Sequence, residues 1–267
     1  MKIFIKNDQI LACMTMKDET KLEANNMALH SCKNEANIIE NRKRIAAEIG
    51  ASIDDFVFPT QTHSANFYKV TEADKGRGAT TLDDAIANTD ALYTFEPDIV
   101  LCSFSADCVP ILFYHETANV IGVIHSGWRG TIQEIAKKFF QHLIEQENCS
   151  VKGFRIVIGP AICQEKFEVD EDVASLFREL GYAKECIHFN QEKNKFFIDN
   201  QQTIIQQLQL IGIKQHQIMI DDTCTFQHEA GFSHRRDKEK GRHMAFIRRS
   251  KPCQSMQFKG LVKKYDR

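Results

Sequence analysis

Three short segments carry the side chains best suited to chemistry. Gln61-Thr62-His63 follows an apolar run that ends at Pro59. Ser105-Ala106-Asp107-Cys108-Val109-Pro110 sets an acid beside a thiol between two apolar strands. Val123 to Thr131 runs from a buried strand through His125 into the loop Ser126-Gly127-Trp128-Arg129-Gly130. A His, a Cys and a second His at strand ends could supply three ligands to zinc and leave the fourth position open, which is the stoichiometry of a catalytic site. A thiol beside an imidazolium or a metal becomes a thiolate, the reactive and metal-binding form. Spacings of 45 and 17 residues do not by themselves single out these three from ten His and nine Cys. The same residues also allow metal-independent chemistry, with Cys108 as nucleophile and His63 or His125 as base.

The loop after His125 is a candidate anion site. Gly127 and Gly130 permit close backbone approach, Arg129 offers planar donors, and free N–H groups at a helix start favour phosphate or carboxylate. The GxxxxGK[ST] pattern of a nucleotide P-loop is absent, and Trp128 reads equally well as a core plug. Asp107 is the acid/base candidate nearest Cys108, with anchoring of a backbone turn as its alternative role, and Glu168 has similar standing. Arg235 and Arg236 are further anion candidates, against the alternative of a surface ion-pair cluster with Asp237.

These segments need a scaffold, and the composition can build one. The 267 residues are 43% hydrophobic and 26% charged, which excludes a disordered or fibrous chain. No apolar run approaches the roughly 20 residues of a membrane span, and the N-terminus turns polar too early for a signal peptide, so the expectation is a cytoplasmic protein. Nine cysteines, odd in number and without a CxxC pair, point to free thiols. Ser233 to Arg267 holds twelve Lys/Arg against three Asp/Glu within a chain of net charge −2. This stretch reads either as a solvated strand with a terminal extension or as an anion-binding surface.

Asn34 predicts a cap for a helix reaching Ile49, with Gly50 as its stop. Residues 56–58, 67–71, 91–95, 99–104, 110–114 and 120–124 read as short strands, and their near-continuous apolar character predicts a sheet covered on both faces. Further helices are expected over 131–147, 170–180 and 200–211, and strands over 155–158 and 218–220. The chain is therefore α+β, with no linker or repeat to divide it.

Taken in order, Gln61-Thr62-His63, Ala106-Asp107-Cys108-Val109-Pro110, His125-Ser126-Gly127-Trp128-Arg129-Gly130-Thr131 and Ile158-Gly159-Pro160-Ala161-Ile162 resemble the YfiH-like laccase-domain (polyphenol oxidase) family of purine nucleoside phosphorylases. Phe167-Glu168-Val169, Cys224-Thr225, Phe232 to Asp237 and Gly241-Arg242 extend the resemblance across about residues 40–250. The resemblance implies a single domain over 1–267 with four α/β/β/α layers and mixed sheets. It also implies metal ligation by His63, Cys108 and His125. This chain departs from the family pattern in having Ser126 immediately before the GWRG motif, where the family commonly reads HAGWRG. It also has Thr15-Met16-Lys17-Asp18-Glu19 where the family has an Arg-Gly-Gly turn, so that Lys17 could replace the arginine only as a point charge.

The activity implied by the resemblance is zinc-dependent phosphorolysis of adenosine, inosine and methylthioadenosine, with adenosine deamination as a second reaction. Arg129 and one of Arg235 or Arg236 would hold phosphate, while Cys108, His63, His125 and Asp107 form the catalytic set. Multicopper oxidation needs H-x-H and H-C-H arrays that this chain lacks, although a His/Cys/His site can take copper in place of zinc. The H-x-E…P-C-x-x-C pattern of cytidine-type deaminases is also absent. A Cys-His hydrolase or deamidase is the first alternative, copper-dependent polyphenol oxidation remains a further one, and a nucleic-acid module on the basic C-terminal segment ranks below the enzyme readings. Purine nucleosides and phosphate are the expected partners, with no membrane.

Overall fold

A computed structural model describes residues 1–238 and 241–251. The chain opens with a hairpin, β1 (Lys2–Lys6) and β2 (Ile10–Met14), followed by α1 (Glu35–Glu48). Asn34 caps α1 by accepting the Ala36 N–H, and Gly50, at φ 64°, follows its end in the left-handed region that glycine tolerates best. Short strands β3 (Phe56–Val57), β4 (Phe67–Lys69) and β5 (Ala91–Thr94) precede the longer β6 (Val100–Ser105), β7 (Val109–His115) and β8 (Ile121–Ser126). Then come α2 (Trp128–Ile132), α3 (Ile135–Glu145), β9 (Phe154–Ile158), β10 (Glu168–Val169), α4 (Glu171–Glu179), β11 (Ile187–Asn190) and β12 (Lys195–Ile198). The chain continues through α5 (Asn200–Leu210), β13 (Ile218–Ile220), α6 (His234–Asp237) and β14 (His243–Arg249).

Two mixed sheets carry the fold. One is ordered β1-β2-β14-β6-β3, the other β13-β9-β7-β8-β5-β4, and a small third sheet is β10-β12-β11. Side chains alternate across each strand, so every central strand feeds two cores. On β7, Ile111 and Phe113 join the core under α3 and α5, whereas Leu112 faces the other large sheet. On β14, Phe246 packs in the core that includes Ile45 and Ala46 of α1, and Ile247 faces the inter-sheet core with Leu101 and Val123. The resulting order is helix, sheet, sheet, helix, the four-layer α/β/β/α arrangement that the resemblance implied. Both sheets are covered on both faces, which is why their strands lack a polar side.

Three expectations need correction. The helix read over 131–147 is two helices, because Glu134 adopts φ 60° while its carboxylate accepts from Lys137 Nζ and Tyr182 Oη, both at 2.9 Å. β1 and the β11–β12 pair escape a hydrophobic-run reading because their residues are largely half-exposed, whereas β2 is a short, largely buried apolar run that no expected strand covers. Part of the basic C-terminal stretch is β14, a central strand pairing with β2 and β6. Its Arg248 and Arg249 are engaged by Asp98 at 3.2 Å and the Phe95 carbonyl at 2.5 Å. The remainder of that stretch, residues 239–240 and 252–267, lies outside the described residues.

Candidate metal centre and its cleft

His63, Cys108 and His125 meet at the ends of elements from both halves of the sheet system. Their ligand atoms all lie within 4.8 Å of one another, and this is the one such His/Cys/acid cluster among the described residues. Cys108 Sγ stands 3.9 Å from His63 Nε2, and the two imidazole rings cross at 76° with centroids 4.9 Å apart. For bond lengths of about 2.0–2.3 Å, neighbouring ligands of a tetrahedral zinc are separated by roughly 3.3–3.8 Å, so two nitrogens and a sulfur at these distances need only small adjustments. The donor set fits such an ion.

Asp90, a residue that sequence reasoning missed, builds this centre. Its carboxylate accepts the backbone N–H groups of Thr62, His63 and Ser64 at 3.2, 3.0 and 2.7 Å, and the Ser64 hydroxyl at 2.7 Å. This wraps the loop into a turn in which His63 takes φ 58°. The same carboxylate meets His125 Nδ1 at 2.9 Å. A proton held there leaves His125 Nε2 free for a metal. Burial would raise the Asp90 carboxyl, but the hydrogen bonds from His125 and Ser64 outweigh it and hold the group at about 2.

The thiol is tuned in the opposite direction from Cys13, Cys32, Cys102, Cys149, Cys163 and Cys186, which are all raised. Burial would raise it, but the His125 imidazolium, together with hydrogen bonds to His125 and His63, brings Cys108 down to about 6. His125 answers in kind: burial opposes its charge, yet the Cys108 thiolate and Asp90 lift it to about 9. The buried Cys13, by contrast, is pushed up to about 12 by desolvation. In the metal-free protein the centre therefore holds a thiolate–imidazolium pair, with the nucleophile of a metal-free alternative already ionised.

Backbone shape brings Cys108 to this position. Asp107 sits at φ 84°, a conformation that a non-glycine residue adopts only when its surroundings hold it. Thr225 Oγ1 donates to one of its carboxylate oxygens at 2.7 Å, while Ser233 Oγ and the Arg235 N–H donate to the other at 3.0 and 2.7 Å. The side chain expected as an acid/base is thus occupied as an anchor. On the other flank, a Cβ on Gly127 would meet His63 Cδ2 at 2.7 Å and Cys108 Sγ at 2.9 Å. The bare backbone at Gly127 leaves room for the His63 ring and the Cys108 thiol.

A cavity of about 400 Å³ opens over the cluster, lined by residues that include His63, Cys108, His125, Gln61 and Phe104. Gln61 is fixed by two bonds to the Phe104 backbone. A larger cavity of about 770 Å³ adjoins it, since His30, His234 and Arg242 line both. Lys17, paired with Glu19 at 2.5 Å, stands on the wall of the larger one. Arg242 is the cationic side chain between the two, lowered by burial and drawn on by the fields of Cys108 and Asp107. Its guanidinium donates to the Gly241 carbonyl at 2.7 Å.

The three arginines singled out by sequence are placed differently. Arg129 is exposed and lies over the Trp128 ring, 4.2 Å from its centroid. Arg235 donates to the Glu168 carbonyl at 2.8 Å and lies over Phe167. Arg236 is committed to the Phe226 and Gly231 carbonyls, both at 2.6 Å, and to the Asp237 carboxylate. None of the three is among the residues lining the two joined cavities. Only Gly241-Arg242, noted in the sequence as a motif, pointed toward the cation that does line them.

A family model described as "Multi-copper polyphenol oxidoreductase laccase" matches residues 16–250. The chain is 32% identical over 247 residues to the purine nucleoside phosphorylase YlmD of Bacillus subtilis, covering 90% of this chain and 89% of that protein. It is 34% identical over 224 residues to a purine nucleoside phosphorylase of Staphylococcus saprophyticus, covering 83% and 84%. Among solved structures, the hypothetical protein YfiH of Bacillus licheniformis superposes with a TM-score of 0.85 at 31% identity, over 92% of this chain and 98% of that one. YlmD of Geobacillus stearothermophilus gives the same TM-score at 30% identity, over 91% and 93%. No helix among the described residues is long and apolar enough to cross a membrane.

Proposed function

The chain belongs to the multi-copper polyphenol oxidoreductase laccase family, whose members include purine nucleoside phosphorylases, and from that premise we propose that it is a zinc-dependent cytoplasmic phosphorylase of purine nucleosides. Adenosine, inosine and methylthioadenosine are its proposed substrates, with adenosine deamination as a second reaction. The single observation that carries the reading is the convergence of His63, Cys108 and His125 within 4.8 Å at the floor of a cleft.

In phosphorolysis, phosphate attacks the ribosyl C1′ carbon, the bond to the purine nitrogen breaks, and the base leaves with a proton. Zinc held by His63, Cys108 and His125 would supply Lewis-acid polarisation at the reacting centre. Asp90 keeps the His125 ring in one tautomer and the His63 loop in one shape, so the ligand set is preorganised. Asp107 acts as a positioning residue that fixes the Cys108 backbone, rather than as an acid or base. Arg242 takes the phosphate-holding role, because it is the guanidinium at the junction of the two cavities. His30 lies at the same junction, its ring edge-on to Phe104, and offers that ring to the purine.

The test is elemental analysis of untagged protein together with chromatography of adenosine incubated with and without phosphate. One zinc per chain and adenine released only with phosphate is the expected result; inosine formed without phosphate would mark the deamination. Copper at full occupancy with oxidation of phenols would favour the polyphenol oxidase reading. One observation favours a second reading: Cys108, His125 and Asp90 stand in the order nucleophile, base and orienter. Metal-free protein that leaves adenosine intact yet is acylated at Cys108 during amide hydrolysis would replace the phosphorylase by a Cys-His hydrolase.

A further inference from the structure

A third cavity, of about 580 Å³, shares no lining residue with the two that meet at the metal centre, and two thiols face it: Cys163 and Cys224. Cys163 is half-buried in the turn after β9, and Cys224 is buried in the segment after β13. A parallel bridge between Ala161 and Cys224 holds the two segments side by side, reinforced by the Thr225 N–H donating to the Ala161 carbonyl at 2.9 Å. The Cys163 N–H donates to Cys224 Sγ at 3.2 Å, and the Cys163 thiol donates to Gln227 Oε1 at 3.6 Å. Burial and the hydrogen bond to the Cys224 sulfur raise the Cys163 thiol.

We propose that Cys163 and Cys224 are an oxidation site for hydroperoxides, closing to a reversible disulfide. Cys224 Sγ attacks one peroxide oxygen: an S–O bond forms, the O–O bond breaks, and the other oxygen leaves with the thiol proton as water or an alcohol. The Cys163 thiol then attacks the resulting sulfenic acid sulfur; the S–S bond forms, the S–O bond breaks, and water leaves with the thiol proton. The two cysteines lose two electrons and the hydroperoxide gains them.

The pair is tied to the metal centre through Asp107. Ile162, next to Cys163, donates its N–H to the Asp107 carbonyl at 3.0 Å. Thr225, next to Cys224, donates its hydroxyl to the Asp107 carboxylate at 2.7 Å. A Cys163–Cys224 bond would therefore cross-link the two segments that grip the residue before Cys108. This inference stands independently of the reaction proposed at that centre.

The experiment treats the full chain with hydrogen peroxide, alkylates the remaining thiols, and maps the tryptic peptides by mass before and after dithiothreitol. The expected product is a linked pair of peptides carrying Cys163 and Cys224, lighter by two hydrogens than the reduced pair and separated by dithiothreitol. In Cys163→Ser, Cys224 should instead advance to the sulfinic acid. Amide exchange at Ile162 and Thr225 should slow by about tenfold on oxidation, as expected when a local opening is restrained. Both thiols remaining alkylatable while Cys108 is oxidised, or unchanged exchange at Ile162 and Thr225, would overturn the proposal. The wild-type map decides the disulfide even if the variant fails to fold.

Discussion

Asp90 Oδ1 stands 2.9 Å from Nδ1 of His125, and the same carboxylate holds the backbone of His63 at 3.0 Å. One buried acid thus orients the His125 ring and fixes the loop that carries His63, a coupling between residues 27 and 35 positions apart. The centre depends on a residue that would never touch the metal, and this can be tested directly.

Asp90→Asn should keep the fold but weaken zinc binding by about 10–100-fold, the usual cost of losing a carboxylate behind a ligating histidine. Competition with a chromophoric chelator measures this, and circular dichroism checks the fold. Unchanged affinity would mean that His125 needs no orienting partner.

Gly127→Ala should displace a ligand, because the added methyl would lie 2.7 Å from His63 Cδ2 and 2.9 Å from Cys108 Sγ. Its backbone angle is ordinary for any residue, at φ −71°, so the effect is local crowding rather than backbone strain. Metal content should fall well below one equivalent while the melting temperature of the apo form shifts by only a few degrees, corresponding to roughly 1–2 kcal/mol. Full zinc occupancy in this variant would contradict the packing argument.

Arg242→Ala should raise the KM for phosphate at least about tenfold, the loss of one charge-assisted contact of about 1.5 kcal/mol or more. Arg129→Ala should change it by less than about twofold, since exposed side chains without buried partners contribute little. Steady-state kinetics with phosphate varied at saturating nucleoside separates the two. The reverse pattern would return the anion site to the GWRG loop.

His243 is buried, with Nδ1 donating to the Thr15 carbonyl at 2.8 Å and Nε2 accepting the Phe232 N–H at 2.7 Å. A second ring proton would oppose that N–H, and burial has already pushed the group down to about 4 from 6.5. Because the folded value lies below the unfolded one, its contribution is fully present above pH 6.5 and is lost as pH falls toward 4, amounting to about 3 kcal/mol. Urea unfolding between pH 7 and 4.5 should show this decline, and His243→Gln, less stable at pH 7, should show a shallower one. Parallel slopes for the two proteins would remove His243 as the source.

Much of this protein was legible in its sequence because local rules determine it. Asn34 and Gly50 bound α1 through capping chemistry that neighbouring residues can satisfy alone. The apolar runs at 109–114 and 120–124 became the central strands β7 and β8 because residues buried on both faces leave no polar alternation, and that signal survives without knowing their partners. His63, Cys108 and His125 were nameable because imidazole and thiolate are intrinsically metal-binding groups, and a family resemblance narrowed the choice among ten His and nine Cys.

Tertiary structure decided what each charged side chain does, since a charge takes its role from partners that are distant in sequence. Asp107 meets Thr225 and Ser233, 118 and 126 residues away, and becomes an anchor. Arg236 is used up by the Phe226 and Gly231 carbonyls, whereas Arg242 is left at the junction of two cavities. Asp90, an ordinary acid in the sequence, became the orienting group of the site only when chain reversal placed the 62–64 loop and His125 around it. Residue type is a local property; a carboxylate's donors and a guanidinium's free face are fixed only by the packing of the whole chain.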